Sequence, residues 1–468
     1  MISMSSIKSA GGTSKYMSGQ AAAEYYSGQQ VPSQWLGQGA EHQGLAGREV
    51  AESDLTKQLE GKVIEFNKIS GQWEEIQLGV QRGGGLQHRA GWDLTFSAPK
   101  SVSLEAEVFG NADVRAAHER AVSRAMGFLE DQAAQARIAG NFVQTKSLCY
   151  ATFAHATSRA GDPQTHTHAI IANVTYSDGK AYSLSNEKLL DYRTTADVVY
   201  KNELAHALEK SGYAVEWDKS GNFEIAGYSR EDLAIFSKRS EEIKGALARR
   251  GMDKVTASHA ARQIAALDTR QDKDQPESAD THRDRWQAEA AAVGINQTLR
   301  GTSQKPTVEA LQQSARAAVL SAVNHLTERE QAFRERDLWK ESARFSQGGT
   351  NTDRLEEAML ALIHEGSLIV RSDGKYTTSD AVESEKTMGE RLAAGHGAHE
   401  AVMSHREFDH ALRLFEERKG FALSGEQRAT ARMILTGEDR YQGVQGLAGT
   451  GKTTLLELVR EAAESRGW

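Results

Sequence analysis

The chain has 468 residues, 39% of them hydrophobic and 26% charged, with 64 acidic against 56 basic side chains for a net charge of −8. This is a globular balance and excludes a disordered or fibrous chain. No apolar run reaches the roughly 18 to 20 residues of a membrane span, and the opening MISMSSIKSAGG lacks the apolar stretch of a secretory signal, so no membrane insertion and a cytoplasmic location are expected. The single cysteine, Cys149, excludes an internal disulfide and a cysteine zinc cage and leaves His, Asp and Glu as metal ligands. The acidic charge does not mark a general nucleic-acid binder, so DNA contacts must come from a local groove. The best local candidate is 238–262, with seven Lys or Arg against three acids.

In chain order, the first signal is Tyr16 beside Met17, followed by Tyr25-Tyr26, with the helix-tolerant MSGQAAAE between them. GWDLTFSAPK (91–100) alternates Trp92, Leu94 and Phe96 with Asp93, Thr95 and Ser97, which predicts a half-buried strand ended by Pro99. Residues 112–138 carry helical spacing. Residues 146–159 and 165–176 read as two strands joined through Gly161-Asp162-Pro163, most simply as a hairpin. Helices are expected over 186–210 and 230–267, a polar linker over 268–285, and a soft boundary near 296–306. From 307 to 365 the pattern is helical. LIVRSDGKYTT (368–378) predicts a hairpin turning at Asp373-Gly374, which with the helices is compatible with a winged-helix shape.

His166 and His168 stand two apart, so on a strand both rings point to one face. His155 lies near the end of the preceding strand, and antiparallel pairing would let the three imidazoles converge. Neutral imidazole ligates Mn, Zn, Ni and similar ions, and three protein ligands leave positions for a phosphate oxygen. The blander reading is three unrelated histidines. Asp93, on the less apolar face of its strand, can orient a ligand histidine or accept a nucleophile's proton. A phenol needs help to act as a nucleophile at neutral pH. A metal on the scissile phosphate supplies it by withdrawing charge, and a second tyrosine could make a second transfer. The alternative is that the tyrosines are half-buried aromatics on an N-terminal helix.

Taken in order, several segments resemble the relaxase domain of conjugative relaxase-helicases of the MobF type. These are IKSAGGTSKY (7–16), SQWLGQGAEHQGLAG (33–47), GWDLTFSAPKSVS (91–103), FAHATSRAGDPQTHTHAIIANVT (153–175), FSKRSEEI (236–243) and AALDTRQDK (265–273). The resemblance covers most of 1–300. It implies an α+β fold of the HUH endonuclease type, a palm-like antiparallel sheet flanked by helices, with a helical region over the DNA. It implies a metal-dependent, site-specific single-strand DNA endonuclease and strand transferase that nicks a transfer origin and keeps the 5′ end on a tyrosine. Tyr16 then corresponds to the leading nucleophile and Tyr25 and Tyr26 to the second pair. His155, His166 and His168 correspond to the metal ligands, for Mg or Mn or another transition metal, and Asp93 to the acid beside them. Some members carry two adjacent tyrosines at the first position, where this chain has Met17 after Tyr16. Single-stranded origin DNA, accessory relaxosome proteins, a type IV secretion and coupling system, and export into a recipient cell attached to DNA are implied as well.

Near the C-terminus, Gly446 to Thr453 satisfies GxxxxGK[ST]. YQGVQ (441–445) is expected as the strand before it and TLLELVREAAE (454–464) as the helix after it. In such a loop Gly446, Gly449 and Gly451 let backbone N–H groups cradle phosphates, Lys452 reaches the terminal phosphates, and Thr453 ligates Mg²⁺ of ATP. LSGEQRAT (423–430) is similar to the adenine-reading motif of superfamily 1 helicases, with Gln427 in that role. VNHLTEREQAFRERDL (323–338) resembles the segment that precedes the helicase. The expected domains are therefore a relaxase over 1–300, a helical part of the helicase region over 301–420, and the start of a RecA-like motor over 421–468. With 15 residues after Thr453, ATP hydrolysis by this chain is not expected. Two other classes remain open: a non-catalytic DNA-binding segment of a motor, and a three-histidine hydrolase of a small molecule. Trp217 and Tyr213 are loose candidates for stacking on bases.

Overall fold

The computed structural model describes residues 1–17, 32–82, 85–158, 160–253, 257–258, 261, 265, 279–295, 307–447 and 449–468. They form two compact units, one of residues 1–365 and 370–376 and the other of 366–369 and 377–468.

The first unit is built on five strands: β1 (Ile2–Ser6), β2 (Ser33–Leu36), β3 (Gly91–Ser97), β4 (Tyr150–Thr157) and β5 (Pro163–Ala172). Their spatial order is β1-β3-β5-β4-β2, and every pairing is antiparallel. The expected alternation of β3 holds: Trp92, Leu94 and Phe96 are buried on one face, and Asp93, Thr95 and Ser97 lie on the other. Gly91 opens β3 at φ +150°, where a Cβ would run into the carbonyl oxygen of Ile171 on β5. Only glycine lets the central strands approach there. Pro163 is the first residue of β5, a strand position where its missing N–H is tolerated.

One face of the sheet packs against two long helices, α2 (Ala112–Ala133) and α3 (Glu187–Lys210), with α1 (Ala10–Met17) preceding them in the chain. Asn111 caps α2 by accepting from the N–H groups of Asp113 and Val114. Phe96 meets Tyr200 of α3 edge to face, with centroids 5.5 Å apart. The opposite face carries a second apolar cluster, in which Trp35, Ala151, Phe153 and Ile170 pack with Met17, Leu55 and Leu59.

The same unit includes helices Val308–Thr327, Glu335–Ser346 and Thr352–His364, and the short strand Phe333–Arg334, in which Phe333 pairs with Tyr376. These helices join α2 and α3 through specific contacts. Asn202 accepts from the Gly348 N–H at 2.8 Å and donates to the Thr350 carbonyl at 2.9 Å. Phe128 meets Trp339 with centroids 5.3 Å apart. The turn at Asp373-Gly374 closes as expected, with the Arg371 N–H donating to the Lys375 carbonyl at 2.8 Å. The second unit holds helices Ser379–Ala394, His405–Lys419, Gly425–Thr436 and Lys452–Glu464.

Four local expectations are corrected. The helix read over 112–138 stops at Ala133, because Gln135–Ile138 pairs with Asn141–Gln144 as a hairpin. The helix over 230–267 breaks between Ile235 and Lys238, where Phe236 turns into an apolar cluster, and its second piece ends at Ala248. Within the expected linker, helix α4 (Ala279–Ala292) is already formed, held by buried Trp286 among Leu104, Val108 and Phe236. Residues 441–445 are not a strand, since among the described residues none pairs with them. The boundary near 296–306 lies outside the described residues.

Candidate active site and metal centre

The three histidines converge. His155 on β4 stands directly opposite His166 on β5, and His168 stands opposite Phe153, two residues farther along the same face. A bulge between His155 and Thr157 ends the regular pairing there. Ring centroids are 5.1 Å apart for His155–His166, 5.3 Å for His155–His168 and 5.4 Å for His166–His168. With about 2.1 Å from metal to nitrogen and about 1.1 Å from nitrogen to ring centroid, two imidazoles on a tetrahedral cation have centroids about 5.2 Å apart. The three observed distances match that value. Among the described residues, as the rings stand, no group of three or more His, Cys, Asp or Glu side chains has the placement of a metal site.

The partners of the rings decide which nitrogens can ligate. His168 Nδ1 lies 2.9 Å from both carboxylate oxygens of Asp93. His166 Nδ1 lies 2.9 Å from the carbonyl oxygen of Gln164. Carboxylate and carbonyl only accept, so both Nδ1 atoms carry a proton, and Nε2 is the nitrogen left to ligate when the ring is neutral. Burial, with smaller contributions from His166 and His168, pulls the His155 imidazole down to about 2, so it is neutral and able to ligate at physiological pH.

Thr95 is a site residue that sequence reading missed. Its hydroxyl lies 3.4 Å from Asp93 Oδ1 and 3.2 Å from His168 Nδ1, so it supports the same ring from the same strand. The alternation of GWDLTFS carried the signal, because it places Thr95 on the face of Asp93.

Tyr16 lies on the backbone of α1, next to Met17. Met17 is buried in the cluster with Phe153 and Ile170, which lie two residues along from His155 and His168 on the histidine-bearing face. The end of α1 is thus packed onto that face of the sheet. The side chain of Tyr16 and all of Tyr25 and Tyr26 lie outside the described residues. Tyr213 is a core residue whose hydroxyl accepts from Asn111 at 2.7 Å and donates to Glu105 at 3.1 Å. Trp217 is half-buried against Phe223, with centroids 5.0 Å apart.

In the second unit, Gly451 caps helix Lys452–Glu464 at φ +75°, where a Cβ would strike the side-chain amide of Gln427. Lys452 Nζ donates to the Gly446 and Leu447 carbonyls at 2.7 and 2.6 Å, turned back onto its own loop. Thr453 is exposed on the first turn of the helix, and Gly449 has φ +78°. Gln427 bridges two elements. Its Oε1 accepts from the Ser424 N–H at 2.9 Å, and its Nε2 donates to the Thr450 carbonyl at 3.0 Å.

Residues 10–293 match the family model described as TrwC relaxase. The chain belongs to the TrwC relaxase family. Residues 422–468 match the model of an AAA domain, which fits the start of a helicase region. The multifunctional conjugation protein TraI of Escherichia coli is 35% identical over 286 residues, covering 58% of this chain and 15% of TraI. TraI of Escherichia coli strain K12 is 36% identical over 249 residues, covering 50% of this chain and 13% of that protein. The chain therefore spans about a seventh of the curated relatives it matches. Among solved structures, the conjugative relaxase TrwC in a metal-bound complex with oriT DNA is 37% identical with a TM-score of 0.56, covering 64% of this chain and all of that one. A copper-bound complex of TrwC with oriT DNA is 36% identical with a TM-score of 0.54, over the same shares. The mixed fold with its antiparallel sheet is that of these TrwC relaxases. No helix among the described residues is long and apolar enough to cross a membrane.

Proposed function

We propose that the chain is a metal-assisted DNA relaxase that nicks one strand at a conjugative transfer origin and carries the 5′ end on Tyr16. The observation that carries this reading is the trio of imidazoles at cation spacing, with Asp93 against His168, on a family member whose TrwC relatives are solved with metal and with oriT DNA. In it, His155, His166 and His168 hold a divalent cation, Mg or Mn, and Asp93, Thr95 and the Gln164 carbonyl fix the rings. The bound cation would withdraw charge from the scissile phosphate. The oxygen of Tyr16 attacks phosphorus as its phenol proton passes to solvent, the bond to the 3′ oxygen breaks, and the leaving oxygen takes a proton from solvent as a free 3′-hydroxyl. The phosphotyrosine bond keeps the diester energy for rejoining, with Tyr25 or Tyr26 available for a second transfer. Residues 421–468 would begin the ATP-dependent helicase of a longer protein, in which Lys452 and Thr453 serve ATP and Mg²⁺. Accessory relaxosome proteins, a type IV secretion and coupling system, and export with the DNA belong to the same reading.

The test is a covalent-adduct assay with an origin-bearing single-stranded oligonucleotide and Mg²⁺ or Mn²⁺. A shifted protein–DNA band is expected, lost in Tyr16→Phe and in the pair His166→Ala, His168→Ala. A band that survives Tyr16→Phe would move the nucleophile to Tyr25 or Tyr26. Cleavage without any covalent band would replace the reading with hydrolysis by water.

A further inference from the structure

The histidine-bearing strand is polar on both faces. Along β5, Gln164, His166 and His168 point to the site, while Thr165 and Thr167 point to the helices and are buried, 3% and 4% exposed. Two buried polar side chains meet these hydroxyls. Thr165 Oγ1 donates to Glu107 Oε1 at 2.9 Å. Glu107 belongs to the π-helix Leu104–Val108, which follows β3 in the chain, and Arg115 also holds its carboxylate, at 3.2 Å. Thr167 Oγ1 lies 2.9 Å from His118 Nε2 on α2, and the opposite nitrogen of that ring lies 2.8 Å from the hydroxyl of Tyr200 on α3. His118 is almost wholly buried, which drives its imidazole down to about 3 and keeps it neutral.

An apolar pair at 165 and 167 would satisfy a sheet face packed on helices, and the neighbouring strand shows it: β3 uses Leu94 and Phe96 on that face. Burying two hydroxyls, a carboxylate and an imidazole gives less stability than apolar packing of the same volume. What such a network supplies is position, because each hydrogen bond is directional and a slip of β5 by one residue would swap threonines for histidines. Thr165 and Thr167 flank His166, and Thr167 precedes His168.

We propose that Thr165 and Thr167, gripped from behind the sheet by Glu107 and by the His118–Tyr200 pair, are positioning residues that set the two β5 imidazoles for the shared cation. This rests on the metal reading above. The π-helix, α2 and α3 thereby hold the metal side of the sheet through its reverse face.

The experiment titrates the full chain with Mn²⁺ by calorimetry and records Cu²⁺ EPR spectra for wild type, Thr165→Val, Thr167→Val and Thr167→Ser. Valine keeps the volume and loses the hydroxyl; serine keeps the hydroxyl. A control, Asn202→Ala, removes a comparably buried hydrogen-bonding side chain on α3 that faces the Gly348 loop. The valine variants are expected to bind Mn²⁺ about tenfold more weakly and to shift the Cu²⁺ hyperfine pattern. Thr167→Ser should restore both, and Asn202→Ala should lower Tm while leaving both at wild-type values. Valine variants with wild-type affinity and spectrum, whatever their Tm, would overturn the assignment. If a valine variant folds too poorly to titrate, Tyr200→Phe replaces it, with the same direction expected and a smaller factor, and wild-type binding there would overturn it equally. A wild-type chain that takes up no Mn²⁺ at the three histidines would overturn the metal reading itself, and this assignment with it.

Discussion

Replacing Asp93 by Asn probes the link between the acidic strand residue and the metal site. Both Asp93 oxygens face His168 Nδ1 at 2.9 Å, a charge-assisted contact of about 1.5 to 3 kcal/mol when intact. Loss of such a partner behind a ligating imidazole weakens metal binding by about 10- to 100-fold. Asparagine keeps an amide oxygen as acceptor but loses the charge, and the Thr95 hydroxyl, 3.2 Å from the same nitrogen, remains as a second acceptor. Asp93→Asn alone should therefore sit near the lower end, about tenfold or about 1.4 kcal/mol, and Asp93→Asn with Thr95→Val near the upper end. Calorimetric titration with Mn²⁺ at pH 7 reads both, and a thermal melt checks that the fold survives. Affinity within about twofold of wild type in the double variant would refute the view that these two side chains orient His168.

Other consequences are equally direct. Gly91→Ala drives a Cβ into the Ile171 carbonyl at a φ of +150°, so it should cost more than about 4 kcal/mol, and a Tm within about 2 °C of wild type would contradict the close-approach argument. Burial pushes the Glu130 carboxyl up from 4.5 to about 7, against hydrogen bonds from the Leu148 and Gln38 N–H groups that lower it. Between those two values the folded chain binds more protons than the unfolded one, so stability falls as pH rises through about 4.5 to 7 and is flat above, by about 3 kcal/mol in all. Glu130→Gln keeps an acceptor for both N–H groups and should remove that slope and raise Tm at pH 8. Parallel pH profiles for the two proteins would contradict it. Trp339→Ala empties the contact with Phe128 and should destabilise the first unit by about 3 to 5 kcal/mol in denaturant unfolding, whereas a loss under about 1 kcal/mol would mean that helix Glu335–Ser346 is only loosely held.

Much of the site was legible because strand periodicity is strict. The spacing of His166 and His168, the alternation of GWDLTFS and the Gly161-Asp162-Pro163 connection together place three imidazoles and Asp93 on one face, and the structure brings them together. The networks behind that face were not legible. Glu107 and His118 come from helices far from β5 in sequence, and a buried carboxylate reads as surface until its partners Thr165 and Arg115 are seen. Helix α4 was hidden because its first half lies in a polar stretch, while its buried contacts, Trp286 and Ala290, come after that stretch. YQGVQ had a strand's composition, but a strand exists only against a neighbour, and tertiary context overrode the local pattern. The phosphate loop was legible as a motif, while the bridge from Gln427 to its Thr450 carbonyl was not, since the two are 23 residues apart.

The proposed chemistry requires one cation among His155, His166 and His168. Crystals of the chain soaked in Mn²⁺, measured at the manganese absorption edge, would show it. A single strong anomalous peak is expected about 2.1 to 2.3 Å from the Nε2 atoms of all three rings. A peak bound elsewhere, or none at the three rings while the soaked ion is present in excess, would contradict it.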